Sequence, residues 1–204
     1  IGLVYSDVFE FNEKGKEKRQ FEITKPYRGN IFLELLLFSF INTQTVVIRR
    51  EAFGSNGNPF DASLIIAGDY DAYLRISYKW KVDYVNKPMA RYRIHRNSKT
   101  WKDGRKLLTV ELDLIMENLK QVDCEIEEKY PVGIRTLKRF RDIQLSLVDL
   151  ESGEKKRARE RLRNYIHDSI SYLILYFLMY FPYRYAYYPC YRVYSKGIMA
   201  DVFI

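Results

Sequence analysis

A chain of 204 residues with 47% hydrophobic and 29% charged side chains has the balance of a globular protein, which excludes overall disorder and allows one domain with an appendage. Its net charge of +8 is uneven, with 21 Lys/Arg against 19 Asp/Glu in residues 1–131 and 13 against 7 in residues 132–204, so the positive charge sits in the tail and points to an anionic membrane surface before nucleic acid. Only Cys124 and Cys190 are present, far apart, which excludes a disulfide framework and a cysteine-based metal cluster.

The first residues read as a strand already in progress, so the chain is expected to be a piece of a longer one. Leu3–Phe11 alternates and carries Val, Tyr and Phe, predicting a strand. Asn12–Gly15 predicts a turn and Arg19–Ile23 the returning strand. Ile31–Phe40 is almost wholly apolar and predicts a buried helix. Thr45–Ile48 is β-branched and predicts a short core strand. Ser55–Pro59 is dense in turn formers and predicts a loop. A helix is predicted over Tyr70–Tyr78 with Asp69 as its cap, then strands at Val82–Val85 and Ala90–Ile94 separated by Pro88. This mixed order predicts an α/β layer structure.

From Gly104 onward the pattern turns helical, with Leu107, Leu108, Leu112, Ile115, Leu119 and Val122 near helical spacing. Pro131–Gly133 interrupts, and helices follow at Ile134–Leu150 and Glu154–Ile166. Ile170–Phe181 is apolar or aromatic except for Ser171, but twelve helical residues reach only roughly 18 Å, short of the roughly 30 Å of a hydrocarbon core. Half of the chain's 18 Tyr lie between Tyr172 and Tyr194, mixed with Arg, which suits a bilayer interface; packing on the rest of the protein or on a partner subunit is the alternative.

Asp69 and Asp71 are two residues apart and point about 200° from each other on a helix, so only one can face a cleft. Arg75, four residues on, can pair with Asp71 on the solvent face. Asp69 has no such local partner and follows Gly68 at the helix start, where loops present functional groups. Its bland reading is a plain helix cap.

The stretch Ile66-Ala-Gly-Asp-Tyr-Asp-Ala-Tyr-Leu-Arg-Ile76, followed by Ala90-Arg-Tyr-Arg-Ile-His-Arg-Asn-Ser98, resembles the acceptor-side half of a family 2 glycosyltransferase of the GT-A fold. The resemblance covers about residues 1–100. It implies a partial GT-A mixed sheet over 1–100, a helical extension over 101–168 and an apolar, Tyr-rich basic tail over 169–204. Residues 101–204 match no sharp motif and resemble the variable additions of bacterial envelope glycosyltransferases. The implied activity is inverting transfer of a sugar from a UDP- or dTDP-type nucleotide donor to a cell-envelope polysaccharide or lipid-linked acceptor. One carboxylate takes the proton of the attacking hydroxyl while the departing diphosphate is neutralised by a divalent cation or basic groups.

On this resemblance Asp69, in Ala67-Gly68-Asp69, is the catalytic base, with Gly68 where the family usually has Glu. Gly57, Phe60 and Asp61 resemble the loop that faces donor and acceptor. Tyr92-Arg93-Ile94-His95 matches a late family motif, which implies Arg93 in the cleft and His95 at a metal or diphosphate. The family's Asp-x-Asp motif is missing, so a Mg or Mn ion is expected in the complete enzyme with its main ligands outside this chain. The isolated residues are expected to be inactive. Nucleic acid is not an expected partner, and a homo-oligomer stays open. The implied location is peripheral, on the cytoplasmic face of the membrane. The competing reading is an inactive membrane-surface or interaction module derived from a transferase.

Overall fold

The computed structural model describes residues 1–54, 57–95, 104–186 and 189, and of 104–108 only the backbone. Its centre is strand β1, Leu3–Asn12. At its end the Asn12 carboxamide oxygen accepts the N–H groups of Lys14 and Lys16 (2.9 and 3.1 Å), and Gly15 turns the chain back with a φ of 75°. The return is β2, Glu17–Arg19, antiparallel to β1. Strand β3, Val47–Ile48, pairs antiparallel with the start of β1, and β4, Val82–Ile94, runs parallel along it for its whole length. Among the described residues these make one mixed, four-stranded sheet.

Several predicted elements differ, each for a local reason. The returning strand stops at Arg19, and Gln20–Ile23 forms the short helix α1. The buried Asp7 carboxylate draws it off the sheet by accepting the Phe21 N–H (3.0 Å) and the Arg19 guanidinium (2.7 Å). The predicted helix over Ile31–Phe40 is confined to α2, Phe32–Leu37, after which Phe38 is extended and residues 38–42 line a cleft. The predicted core strand Thr45–Ile48 is only Val47–Ile48, and Val47 is 69% exposed. Before it, Thr43–Thr45 is a 3-10 turn capped by the Asn42 side chain. Pro88 does not separate two strands. Ser6 faces Val85, Asp7 faces Pro88 and Val8 faces Ala90, so the proline sits at a slip in register where a missing N–H costs nothing.

Helix α3, Gly68–Lys79, follows the loop and starts two residues earlier than predicted. Then come α4, Gly104–Val122, α5, Ile126–Lys129, and α6, Pro131–Glu151. Pro131 opens α6 rather than interrupting it, because the first helical position needs no N–H. Lys155–Leu162 forms α7, shorter than predicted because Arg163–Tyr165 tightens into a 3-10 turn. Ile170–Leu178 forms α8, and no described helix is long and apolar enough to cross a membrane.

Two cores hold these elements together. The first joins sheet residues such as Leu3, Tyr5 and Val82 to Leu35 and Leu36 of α2, Leu74 of α3, Leu112, Ile115 and Leu119 of α4, and Ile134 and Leu137 of α6. It therefore runs across the sequence boundary at residue 100. Gly133 brings α6 close to α2: a Cβ there would lie 2.7 Å from Leu36 Cδ1 and 2.9 Å from Leu36 Cβ. The second core is smaller and wholly helical, with Ile143, Leu147 and Leu150 of α6 against Ala158, Leu162, Leu175 and Met179.

Candidate functional site

The loop entering α3 has no side-chain cap of its own, since the N-cap residue is Ala67. A buried carboxylate from another helix takes that role. Glu111 of α4 accepts the N–H groups of Ile65 (2.8 Å), Ile66 (3.0 Å) and Ala67 (2.6 Å). Otherwise unpartnered donors at a helix start are thereby satisfied by a charge-assisted acceptor, and the loop is clamped to α4.

With the loop fixed, Asp69 occupies the first turn of α3 rather than the cap position expected for it. One oxygen, Oδ1, accepts the Tyr70 N–H (2.8 Å), and Oδ2 accepts the Thr43 hydroxyl. Thr43 is also hydrogen-bonded to Tyr73, a buried residue one turn further along α3. A threonine has one proton, and Thr43 gives it to Asp69, so the Tyr73 proton points to Thr43. Burial pushes the Tyr73 phenol up to about 12, with Asp69 adding to the rise and Thr43 opposing it. A relay of hydroxyls thus leads from the helix interior to the Asp69 carboxylate.

Asp69 opens into a cleft of about 360 Å³. Its sheet side carries Glu10 of β1 and Tyr92 of β4, its flank Gln20 and Thr24 at α1, and its opposite wall residues 38–44. The Glu10 carboxyl is raised above the ordinary glutamate value, first by burial and then by the negative charge of Asp7. Tyr92 is raised by burial and then by Glu10. Gln20 gives its amide N–H to the Phe40 carbonyl (3.1 Å), while its buried Oε1 has no hydrogen-bond partner. The cleft therefore offers the Asp69 carboxylate, the raised Glu10 carboxyl and the side chains of Phe38 and Tyr92, with Gln20 at its flank.

Of the predicted site residues, the fold brings only Asp69 to this cleft. Gly57 and Phe60 are exposed in the preceding loop. Asp61 is used within that loop, accepting the Ser63 N–H (2.9 Å), the Ser63 hydroxyl (2.7 Å) and Asn118 of α4 (3.0 Å); these bonds, Asn118 foremost, lower its carboxyl. Gly68 is the first residue of α3, where an added Cβ would meet Leu64 at an ordinary 3.6 Å. Arg93 follows the cleft residue Tyr92 in β4, so strand alternation sends it to the other, exposed face of the sheet. His95 lies just past the end of β4, partly buried and off the cleft. Arg96 and the Tyr-rich stretch beyond residue 189 lie outside the described residues. Among the described residues no three His, Cys, Asp or Glu side chains, His95 included, are placed to hold a metal ion.

Asp71 pairs with Arg75 as the i,i+4 spacing predicts, but it is fully buried rather than on the solvent face. Its other oxygen accepts Asn118 (3.1 Å), which also holds Asp61. Asp71 thereby belongs to the scaffold behind the loop.

Thr43, Gln20, Glu10 and Tyr92 carry no role in the sequence reading. Tyr92 falls inside the Tyr92–His95 segment that carries the glycosyltransferase resemblance. Glu10 had a signal of its own, since it shares the inward parity of Val8 on the β1 strand. Comparison of the chain with family models, with curated proteins and with solved structures found no match.

Proposed function

We propose that this cleft is the acceptor side of an inverting glycosyltransferase and that Asp69 is its general base. A hydroxyl of a saccharide or lipid-linked acceptor sits against Asp69. Its oxygen bonds to the anomeric carbon of a UDP- or dTDP-sugar as the bond from that carbon to the diphosphate breaks. The diphosphate leaves with the electron pair, and the hydroxyl proton passes to the Asp69 carboxylate. Thr43 holds the second carboxylate oxygen, and the N–H of Tyr70 orients the first. The half-buried side chains of Phe38 and Tyr92 pack against the apolar faces of the acceptor sugar. The resemblance implies that the nucleotide is gripped by residues outside this chain.

The observation that carries this reading is that the one residue implied as base by the resemblance is also the one predicted site residue that lines the polar cleft. The test uses the polypeptide that includes the nucleotide-binding half, with UDP- and dTDP-sugars and a panel of oligosaccharide and polyprenyl-phosphate-linked acceptors. Release of nucleoside diphosphate falls by about a hundredfold or more in Asp69→Asn, the size of a lost general base. Release at the wild-type rate would exclude Asp69 as base. The second reading, an inactive module that binds a membrane surface, is favoured by the exposed apolar side of α8 and would stand if no donor were turned over.

A further inference from the structure

Helix α8 is apolar nearly all round, yet only one side of it is covered. Leu175 and Met179 are fully buried against Leu162 and Ala158. On the other side Ile170, Ile174 and Phe177 are 68%, 51% and 55% exposed, and Phe181, in the turn that follows, is 54% exposed. Spacings of four, three and four residues place them in one stripe. Such a stripe of large side chains, rather than scattered single ones, marks a surface for contact.

The stripe has a cationic border. The Arg159 guanidinium lies 4.0 Å from the centre of the Tyr180 ring, and Lys155 Nζ donates to the Tyr180 carbonyl (3.2 Å). Arg184 lies 4.8 Å from the centre of the half-exposed Tyr185 ring. The sequence from Ser169 to Ala200 contains no Asp or Glu. Helix α7 carries five Lys/Arg and one acid, Glu160, which faces Lys156 at 4.0 Å.

We infer that this face docks in the plane of an anionic lipid bilayer, with Ile170, Ile174, Phe177 and Phe181 among the acyl chains and Lys155, Arg159 and Arg184 at headgroup depth. Nine helical residues lie in an interface but do not cross it. Tyr180 and Tyr185, each with a guanidinium on its ring, suit the boundary between chains and headgroups. A second copy of the chain is a poorer occupant, because a two-fold pairing sets the cationic borders of both copies against each other. Nucleic acid offers the anions but nothing for the aliphatic side chains. The surface is separate from the Asp69 cleft and does not depend on it.

The test is flotation of the full chain with vesicles of phosphatidylcholine alone and of phosphatidylcholine with about one third phosphatidylglycerol. The wild type binds the anionic vesicles about tenfold or more tightly than the neutral ones, and salt weakens that binding. The double variant Ile174→Ser/Phe177→Ser loses about tenfold or more of it. Both positions are half exposed, so the variant keeps its circular dichroism and unfolding temperature. Arg159→Glu abolishes the preference for anionic vesicles, and Asp69→Asn binds like the wild type whatever its activity. Three results would overturn the inference: no binding to either vesicle, equal binding of wild type and double variant, or wild-type self-association in the ultracentrifuge that the double variant lacks.

Discussion

The α/β region and the helical region use carboxylates in different ways. In the first, Asp7 and Glu111, the latter reaching over from α4, accept backbone N–H groups and hold irregular chain in place, while Asp71 accepts only side chains. In the second, Asp142, Asp149 and Asp168 accept from side chains: Tyr165 (2.6 Å), Arg161 (2.6 Å) and Arg135 (2.7 Å). Where helix packs on helix the backbone is already satisfied, so these three carboxylates only fix how one element lies on another. Loops do not satisfy their own backbone, and each backbone clamp makes a defined concavity. A cleft with a positioned Asp69 therefore arises in the α/β region, while the helical region leaves a plain apolar face.

The largest effect expected from this contrast is at Glu111. Glu111→Ala leaves three N–H groups unpartnered beneath the α3 entry and lowers stability by roughly 3 kcal/mol or more, measured by urea unfolding. Amide exchange at Ile65, Ile66 and Ala67 speeds up in the same variant, and Glu111→Gln recovers part of the loss. A substitution that left those amides protected would break the clamp argument.

Gly133→Ala comes next, because its methyl collides with Leu36 where the helical region meets the sheet region. A cost of about 1–3 kcal/mol is expected in the same unfolding assay, with the helical content unchanged. Tyr165→Phe removes one hydrogen bond between the 3-10 turn and α6 of the helical region and costs about 1–2 kcal/mol. A larger loss there than for Glu111→Ala would reverse the ranking of the two regions.

The smallest effects are in pH. Glu10 is raised in the folded state, so the folded protein holds the proton longer than the unfolded chain. Its contribution is complete below the ordinary glutamate value and is lost as pH rises through the raised one. Asp168 is lowered, chiefly by its bond to Arg135, so its contribution is present above the ordinary aspartate value and is lost as pH falls through the lowered one. Glu10→Gln should remove the loss of stability just above the ordinary glutamate value and Asp168→Asn the loss below the ordinary aspartate value, the latter slightly because that pair is exposed. Matching slopes in wild type and Glu10→Gln would show that the cleft carboxyl carries no retained proton.

Legibility in the sequence follows the range of the forces. The β1 strand, the Asn12–Gly15 turn, helix α3 and the Asp71–Arg75 pair depend on neighbours within a few residues, and all could be read. Where the return strand gives way to α1 could not, because the group that captures the Phe21 N–H is Asp7, fourteen residues away. Pro88 was misleading in the same way, since the slip that accommodates it belongs to the pairing with β1. The cleft is the extreme case. Asp69 could be named from a motif, but Glu10, Gln20, Thr43 and Tyr92 meet it only after β1 and β4 pair and the chain turns at Asp7. Arg93 shows the converse: one position from Tyr92 in sequence, it is on the opposite face of the sheet.

The most direct test of the account is amide hydrogen exchange of the wild-type chain with and without a panel of hexose- and hexosamine-containing oligosaccharides. Protection is expected at residues 38–44 and at Gln20, around Asp69, with the exposed loop at Gly57–Asp61 unchanged. Protection confined to Gly57–Asp61 and His95, with none at residues 38–44, would contradict it and place the acceptor on the other set of residues.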